Sequence, residues 1–253
     1  MTMTMMARAS LVMLLVQQGL GKEPSNASDA ECLLQKRHDF EEDGALSGLA
    51  LSDSIMHFAD SLQPGATQDL LRSFRICGRC KEWRRFGEER DGGYLSCVDH
   101  MEPEDIRAAY SMGIEHHDMW SMHIHDNFGV PIYQYDCTVD EPAAVCDKCK
   151  FFQSCLQGEN GKGGFPDKTA WTLKQAIVKS GKDKLPDRSL LMKMDIEGAE
   201  WPTLGTASQE TLSKFRQLLI EFHDLDDEKR HTEFLQTMQN LNKAWGCEKR
   251  CKS

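Results

Sequence analysis

The sequence lacks several features that would assign it to a membrane, repeat or nucleic-acid-binding class. None of its apolar runs approaches the roughly 20 residues that a helix needs to cross a bilayer, so a lasting transmembrane anchor is not expected. It has no internal repeat of fixed period. Basic residues number 30 against 40 acidic ones, which gives a net charge of -10 and argues against a nucleic-acid partner. Its 10 cysteines in 253 residues are too few for a small disulfide scaffold, and the length is enough to bury a core.

The first 21 residues have the layout of a secretory signal peptide. Arg8 precedes an apolar run over residues 9–16, and small residues follow that run. A tripeptide just after it, Asn26-Ala27-Ser28, is an N-glycosylation acceptor if the chain enters the secretory pathway. The pattern therefore predicts a secreted or secretory-pathway protein. A methionine-rich leader that is not a signal is the alternative, and it would leave the chain in the cytoplasm.

The composition divides the chain into three parts: the leader over residues 1–21, a polar stalk over residues 22–68 and a folded domain over residues 69–253. The stalk is rich in Ser and Asp, and its one weakly helical pattern covers residues 49–62. A short basic tail, CEKRCKS, closes the chain.

Strand and helix patterns alternate through the middle of the chain, which indicates βαβ units and a mostly parallel sheet. Right-handed crossovers then predict a doubly wound α/β fold with its ligand crevice at the carboxyl ends of the strands. The predicted strands cover residues 108–114, 130–137, 150–156, 189–196 and 215–222, and the predicted helices cover residues 118–128, 169–179 and 227–245.

Acidic residues end several of these predicted strands and meet at one edge of the sheet. Asp136 ends the second strand, where a carboxylate can accept hydrogen bonds from both ribose hydroxyls. The turn after the first strand is poor in glycine and carries Glu115 and Asp118, which would repel a phosphate. The expected ligand is therefore a nucleoside without phosphates, and S-adenosylmethionine fits that description.

Three stretches of the sequence resemble the FkbM-type methyltransferases, in particular their eukaryotic methyltransferase-like branch. KMDIEGAEW over residues 193–201 is the most specific of the motifs, and the matching segments together span residues 77–245. The stretches are Arg85-Phe86-Gly87 with Asp91-Gly92-Gly93-Tyr94; YSMGI over residues 110–114 with Asp118 and Trp120; and KMDIEGAEW with IEFH over residues 220–223.

The resemblance implies a Rossmann-like class I methyltransferase fold, S-adenosylmethionine as cofactor and O-methyl transfer to a hydroxyl of a sugar or other small acceptor. Family members continue past the long helix into an antiparallel strand pair, and no such pair is expected from the residues after 245. The cofactor-binding residues implied by the resemblance are Tyr110, Ser111, Gly113, Ile114 and Asp118 on the loop after the first strand, and Asp136 as the ribose-binding acid.

The resemblance places Asp195, Glu197 and Glu200 on the motif that faces the transferring methyl group, with Glu221 and His223 nearby on the fifth strand. Methyl transfer needs an aligned acceptor oxygen and a group that removes its proton. His223 is the best base on its intrinsic pKa, which lies near neutral, and a structural histidine is the alternative. We predict Asp195, Glu197, Glu221 and His223 as catalytic residues.

Two other uses of this acidic segment remain open. Asp195, Glu221 and His223 have the oxygen and imidazole ligands of a divalent-cation site, although we favour no metal here. The acids of DIEGAE also suit the positive end of a helix dipole.

The cysteines form local pairs in the sequence, Cys77xxCys80, Cys146xxCys149 and Cys247xxxCys251. Disulfides are favoured if the chain is secreted, and free thiols are an alternative. Zinc knuckles are disfavoured because the spacing between the two CxxC pairs is long. Cys97 and Cys137 lie in apolar strand patterns and are expected to be buried.

Two further patterns have a structural and a functional interpretation. The sequence Asp91-Gly92-Gly93-Tyr94 is typical of a β-turn. The alternative is that this segment forms a lid or another element on the substrate side of the site. The tryptophans at positions 83, 120, 171 and 201 are expected to pack in the core or an interface rather than to stack on adenine.

The sequence thus predicts an S-adenosylmethionine-dependent methyltransferase with a small-molecule or glycan acceptor, and it does not predict the oligomeric state. A nucleotide-sugar or dinucleotide enzyme is the competing enzyme, weakened by the missing GxGxxG motif. A catalytically inactive, cysteine-stapled Rossmann-like binding module is the alternative from another class.

Overall fold

A computed structural model describes residues 57, 59–74, 80–89, 92–99, 101–115, 117–140 and 146–245, and the backbone of residues 11–16. The glycosylation acceptor, most of the predicted stalk and the basic tail lie outside these residues. Of the weak helix predicted over residues 49–62, residues 57 and 59–61 are described and are helical. The strands are β1 (Leu11–Val16), β2 (Trp83–Gly87), β3 (Gly93–Cys97), β4 (Ala108–Met112), β5 (Ile132–Asp136), β6 (Cys149–Gln153), β7 (Cys155–Leu156), β8 (Ala170–Trp171), β9 (Leu190–Met194) and β10 (Phe215–Phe222). The helices are α1 (Ala66–Ser73), α2 (Met119–Phe128), α3 (Leu173–Lys179), α4 (Glu200–Gly205), α5 (Gln209–Ser213) and α6 (His231–Trp245), with a 3-10 turn over Glu228–Arg230 before α6.

The central sheet has six strands in the order β1-β10-β9-β4-β5-β6. The five strands from β10 to β6 are parallel, and the chain reverses its direction of travel across the sheet at β4, which lies between β5 and β9. In open α/β sheets the ligand crevice forms beyond the carboxyl ends of the strands at such a reversal. The predicted doubly wound, Rossmann-like fold is confirmed.

Each face of the sheet is covered by its own apolar core, because fully buried parallel strands need packing on both sides. One core is formed by α1, α3, α4, α5 and α6 and contains stacked aromatic rings, among them Trp201 between Phe222 and Phe234. The other core is formed by α2 and the β2–β3 hairpin, with Trp120 and Tyr94 almost completely buried. These tryptophans pack in the core, as the sequence predicted.

Local signals explain where the helices begin and end. Asp118 accepts a hydrogen bond from the Ser121 amide and caps α2, which ends at Gly129 in the left-handed region. The helix predicted from residue 169 begins only at residue 173, because Ala170–Trp171 forms β8 beside β7 and Thr172 caps α3. The strand predicted over residues 150–156 is divided at Ser154 into β6 and β7.

Strand β1 pairs antiparallel with β10 along the edge of the sheet. Its residues belong to the apolar run that the sequence analysis assigned to a leader, so no strand was predicted there. The residues after the long helix, where the sequence analysis expected no further strand pair, lie outside the described residues.

Three disulfides join described cysteines: Cys80–Cys97, Cys137–Cys155 and Cys146–Cys149. The local pair Cys146xxCys149 is a disulfide, whereas Cys80 pairs across to Cys97 rather than with Cys77. Cys97 and Cys137 are buried as expected, but as bonded half-cystines. The zinc alternative fails for these six residues because disulfide sulfurs are not thiolate ligands.

Within the described segments, no helix has the length and apolar character required to cross a membrane.

Candidate functional site

A cavity of about 850 Å³ opens at the carboxyl ends of β4, β5 and β9, where the topology predicts a ligand site. Its wall combines apolar groups such as Ile114 and Leu156 with carboxylates from three strand ends. The lining residues used below are Glu88, Gly92, Gly113, Ile114, Glu115, Asp118, Trp120, Asp136, Cys137, Thr138, Cys155, Leu156, Phe165, Lys193, Asp195, Ile196, Glu197, Gly198 and Asp224.

The loop after β4 turns tightly at Gly113, which the sequence analysis singled out. Gly113 has a φ of +76°, and a Cβ at this position would lie 1.6 Å from the backbone oxygen of Asp195. A side chain is excluded here for both reasons. The buried Lys193 ammonium donates to the Gly113 carbonyl, which ties the loop to β9.

Asp136 holds this loop from the end of β5. Its Oδ2 accepts hydrogen bonds from the Ile114 and Glu115 amides at 2.9 and 3.2 Å, and its Oδ1 accepts from the Thr138 amide and hydroxyl, both at 2.7 Å. Burial raises the pKa of Asp136, but the hydrogen bonds from Thr138, Ile114 and Glu115 outweigh it and hold the pKa below its usual value. The protein's own donors therefore use all four acceptor positions of the carboxylate.

Asp195 lies one residue beyond β9 and contacts groups from three other parts of the fold. Its Oδ2 accepts a hydrogen bond from the Tyr94 hydroxyl at 3.0 Å and lies 3.7 Å from the Lys193 ammonium. Its Oδ1 lies 3.6 Å from Nε2 of His223. About one-fifth of the Asp195 side chain is exposed, and it lines the cavity. Tyr94, Lys193 and His223 set its position.

His223 follows β10 and is held by the fully buried Glu200 at the start of α4. Nδ1 of His223 lies 3.1 Å from Oε1 of Glu200, whose carboxylate also accepts from the Ile196 and Gly198 amides. The hydrogen bond to Glu200 raises the pKa of His223 to about 9 against the opposing effect of burial, and the charges of Glu200, Glu197 and Asp195 add to it. His223 is consequently protonated at neutral pH, unlike the near-neutral titration that its residue type suggests.

The structure brings most of the predicted cofactor residues to the cavity, with two exceptions. Gly113, Ile114, Asp118 and Asp136 line the cavity. Tyr110 and Ser111 are fully buried within β4 and are not among the lining residues. The Tyr110 hydroxyl is 2.5 Å from Ser180 Oγ on the side of α3, because alternate residues of a strand point to opposite faces.

The predicted catalytic residues also separate into two groups. Asp195 and Glu197 line the cavity, and His223 lies directly behind them. Glu221 does not line the cavity, because it lies within β10, opposite Val12 of β1. Glu200 supports the loop from behind and is not a lining residue.

Ligand atoms of Asp195, Glu197 and His223 lie within 4.8 Å of one another, so the cation alternative would use Glu197 in place of Glu221.

Sequence reasoning missed the roles of Tyr94, Lys193 and Phe165. Tyr94 lies 101 positions before its partner Asp195, and no local pattern signals such a contact. The loop GKGGFP places Phe165 at the cavity with more than half of its side chain exposed. The disulfide partners Cys137 and Cys155 also line the cavity, which only the three-dimensional pairing could show.

Comparison with known proteins agrees with this architecture. The family model described as "Methyltransferase FkbM domain" matches residues 106–248, which is more than half of the chain. The match begins just before β4 and includes the loops that form most of the cavity. No curated protein and no solved structure matches the chain significantly. A parallel sheet with its cavity at this edge, together with the family match over the same segment, shows that the chain belongs to the FkbM methyltransferase domain family.

Proposed function

We propose that this protein is an S-adenosylmethionine-dependent O-methyltransferase that acts on a hydroxyl of a sugar or another small glycan acceptor. The observation that carries the proposal is the cavity at the strand ends, where the Gly113 loop and the carboxylate of Asp195 meet. Membership of the family supports methyl transfer in general terms. The cofactor and the acceptor are our inference.

The residues of the cavity fit S-adenosylmethionine. The volume of about 850 Å³ has room for the cofactor together with an acceptor. The indole Nε1 of the lining residue Trp120 is a buried donor without a hydrogen-bond partner among the described residues, and a cofactor carboxylate would satisfy it. The many carboxylates suit a ligand with a sulfonium and an ammonium charge.

In the proposed complex, the Ile114 loop and Leu156 hold the nucleoside, with Asp136 beneath the loop. A ribose hydroxyl can reach Asp136 only by replacing one of the hydrogen bonds that this carboxylate already accepts. S-adenosylmethionine, when bound, supplies an electrophilic methyl group. Asp195 orients the acceptor hydroxyl. The proton of that hydroxyl passes along Asp195 to neutral His223, whose Nε2 lies 3.6 Å from Oδ1 of the carboxylate.

The charge of the cavity favours an uncharged acceptor. Over the described residues its lining holds seven carboxylates and one lysine, and that lysine is bonded to the loop after β4. A phosphorylated or carboxylated acceptor would be repelled. The exposed ring of Phe165 offers a flat apolar surface on which a sugar face can pack. The carboxylates are Glu88, Glu115, Asp118, Asp136, Asp195, Glu197 and Asp224.

Isothermal titration of the full chain with S-adenosylmethionine and S-adenosylhomocysteine tests the cofactor. We expect micromolar dissociation constants that Asp136→Asn weakens about tenfold or more, because the variant loses acceptors for the loop amides. Asp140→Asn is the matched control, because Asp140 is exposed and accepts a hydrogen bond from Gln153 outside the cavity. This variant should bind both compounds with the affinity of the native chain.

If the folded native chain binds neither compound, the enzyme assignment fails and the inactive binding module is supported. If Asp136→Asn and Asp140→Asn bind the two compounds equally well, the prediction that Asp136 supports cofactor binding is wrong.

The disulfide between Cys137 and Cys155 gives a second prediction. Both half-cystines line the cavity, one directly after Asp136 and the other at the start of β7. In Cys137→Ser/Cys155→Ser, we expect cofactor affinity to fall about tenfold and the free energy of unfolding to fall by about 3 kcal/mol, since the bond closes a loop of 18 residues.

Cys146→Ser/Cys149→Ser is the control for this variant. That bond closes a separation of three residues and lies outside the cavity lining, so cofactor affinity should not change. Equal losses of affinity in the two double variants would contradict a local role for the Cys137–Cys155 bond.

We infer that the chain folds in the secretory pathway. Three disulfides among the described cysteines support an oxidising compartment. The apolar run over residues 9–16 and the acceptor Asn26 support the same route from the sequence. N-terminal sequencing of the secreted protein distinguishes removal of the leader from its retention as β1.

A further inference from the structure

The β2–β3 hairpin lies before the segment that matches the family, yet it reaches the cavity. The match begins at residue 106, whereas the hairpin covers Trp83–Cys97. Glu88 and Gly92 near its turn line the cavity, and its strands pack against α2. The hairpin is thus a wall of the site, supplied by the chain upstream of the matched segment.

Hydrogen bonds stabilise the turn of the hairpin and tie its base to the sheet. At the turn, the Arg85 guanidinium donates to the Glu88 and Gly93 carbonyls at 3.2 and 2.7 Å. At the base, the Gln217 side chain of β10 accepts from the Cys97 amide and donates to its carbonyl, and Cys97 is also bonded to Cys80. The contacts with Gln217 fix the base of the hairpin relative to the sheet, and those of Arg85 stabilise its turn from within.

One side chain connects this wall to the catalytic carboxylate. Tyr94 is 1% exposed, and its hydroxyl donates to Oδ2 of Asp195 at 3.0 Å. The Lys193 ammonium lies 5.5 Å from the centre of the Tyr94 ring and 3.7 Å from the same carboxylate oxygen. Tyr94 of the hairpin thus contacts Oδ2 of Asp195, whereas Oδ1 of the same carboxylate faces His223.

We propose that Tyr94 is a positioning residue for methyl transfer, which holds Asp195 so that its carboxylate faces the position of the transferring methyl group. The proposal rests on the function proposed above, since it requires the cofactor in this cavity. It assigns a role in the reaction to a residue that precedes residues 106–248, the segment that the family model matches.

The test compares two ligands that differ at the reacting atom. S-adenosylhomocysteine has a neutral sulfur there, whereas sinefungin carries a protonated amine in place of the sulfonium methyl and donates hydrogen bonds to a carboxylate placed beside it. The ratio of their dissociation constants therefore reports the position of Asp195 without any knowledge of the acceptor. We expect Tyr94→Phe to reduce the preference for sinefungin about tenfold while S-adenosylhomocysteine binds unchanged.

Tyr110→Phe is the matched control. Tyr110 is an equally buried tyrosine whose hydroxyl contacts Ser180 on the other face of the sheet, so its loss should leave the ratio unchanged. Thermal unfolding of both variants shows that each is folded. An unchanged ratio in Tyr94→Phe overturns the proposal, and so does a parallel loss of both ligands, which a merely structural role would produce. A native chain that binds neither ligand overturns the proposed function itself.

Discussion

Replacing Glu200 by alanine is expected to lower the free energy of unfolding by about 3–5 kcal/mol, a large effect for a residue that touches no solvent. The carboxylate accepts from the amides of Ile196 and Gly198 and from Nδ1 of His223. Its removal leaves two half-buried amides without their acceptor and the buried imidazole without its nearest counter-charge. For a chain of this size the melting temperature should fall by about 10 °C or more, which calorimetry would measure.

Glu210→Ala is the control for this prediction. Glu210 is also in the first turn of a short helix but is exposed, and its loss should change the melting temperature by no more than a few degrees. Equal shifts in the two variants would show that the contacts of Glu200 add nothing to stability.

Glu200→Gln separates charge from hydrogen bonding. The pKa of His223 is raised to about 9 in the folded chain, mainly by Glu200, from an ordinary value of 6.5. The resulting stabilisation is complete below pH 6.5 and is lost as the pH rises through about 9. The free energy of unfolding of the native chain should therefore fall between pH 6.5 and about pH 9, and that of Glu200→Gln should fall much less. Melting curves at pH 6 and pH 9.5 would measure the difference.

The fold could be predicted from the sequence because its parallel strands are short apolar runs divided by helical patterns. All five predicted strands are present, and the last of them has the same bounds in the structure. The division at Ser154 and the late start of α3 could not be predicted, since they depend on the pairing of β7 with β8. Strand β1 was missed because an apolar run after a basic residue has the same composition as a leader.

The candidate site could be predicted only in part, for a geometric reason. Positions at strand ends are fixed by topology, which is why Gly113, Asp136 and Asp195 were identified. Orientation within a strand was harder: Tyr110 belongs to the same motif, but its ring points to the opposite face. The hydrogen bond from Tyr94 to Asp195 depends on how the β2–β3 hairpin packs against the sheet, and no spacing in the sequence predicts that packing.

The second large effect concerns the pH dependence of methyl transfer. A base must be unprotonated to accept the hydroxyl proton, and the pKa of about 9 leaves about 1% of His223 neutral at pH 7. With a saturating acceptor, the rate of methyl transfer should rise about ninefold between pH 7 and pH 8, then about fivefold up to pH 9, where it reaches half of its maximum. The total increase from pH 7 to pH 9 is expected to be about 50-fold.

Two variants make this pH prediction specific to His223. In His223→Gln the rate should be low and nearly independent of pH over the same range, because no imidazole remains to lose a proton. His125→Gln is the control, since that imidazole pairs with Asp147 away from the cavity lining and should leave the profile unchanged. NMR titration of the native chain would measure the pKa of His223 directly. The decisive contrary result would be a native chain in which His223 titrates near pH 9 but the rate of methyl transfer does not change between pH 7 and pH 9. That result would exclude His223 as the base and leave Asp195 as the final proton acceptor.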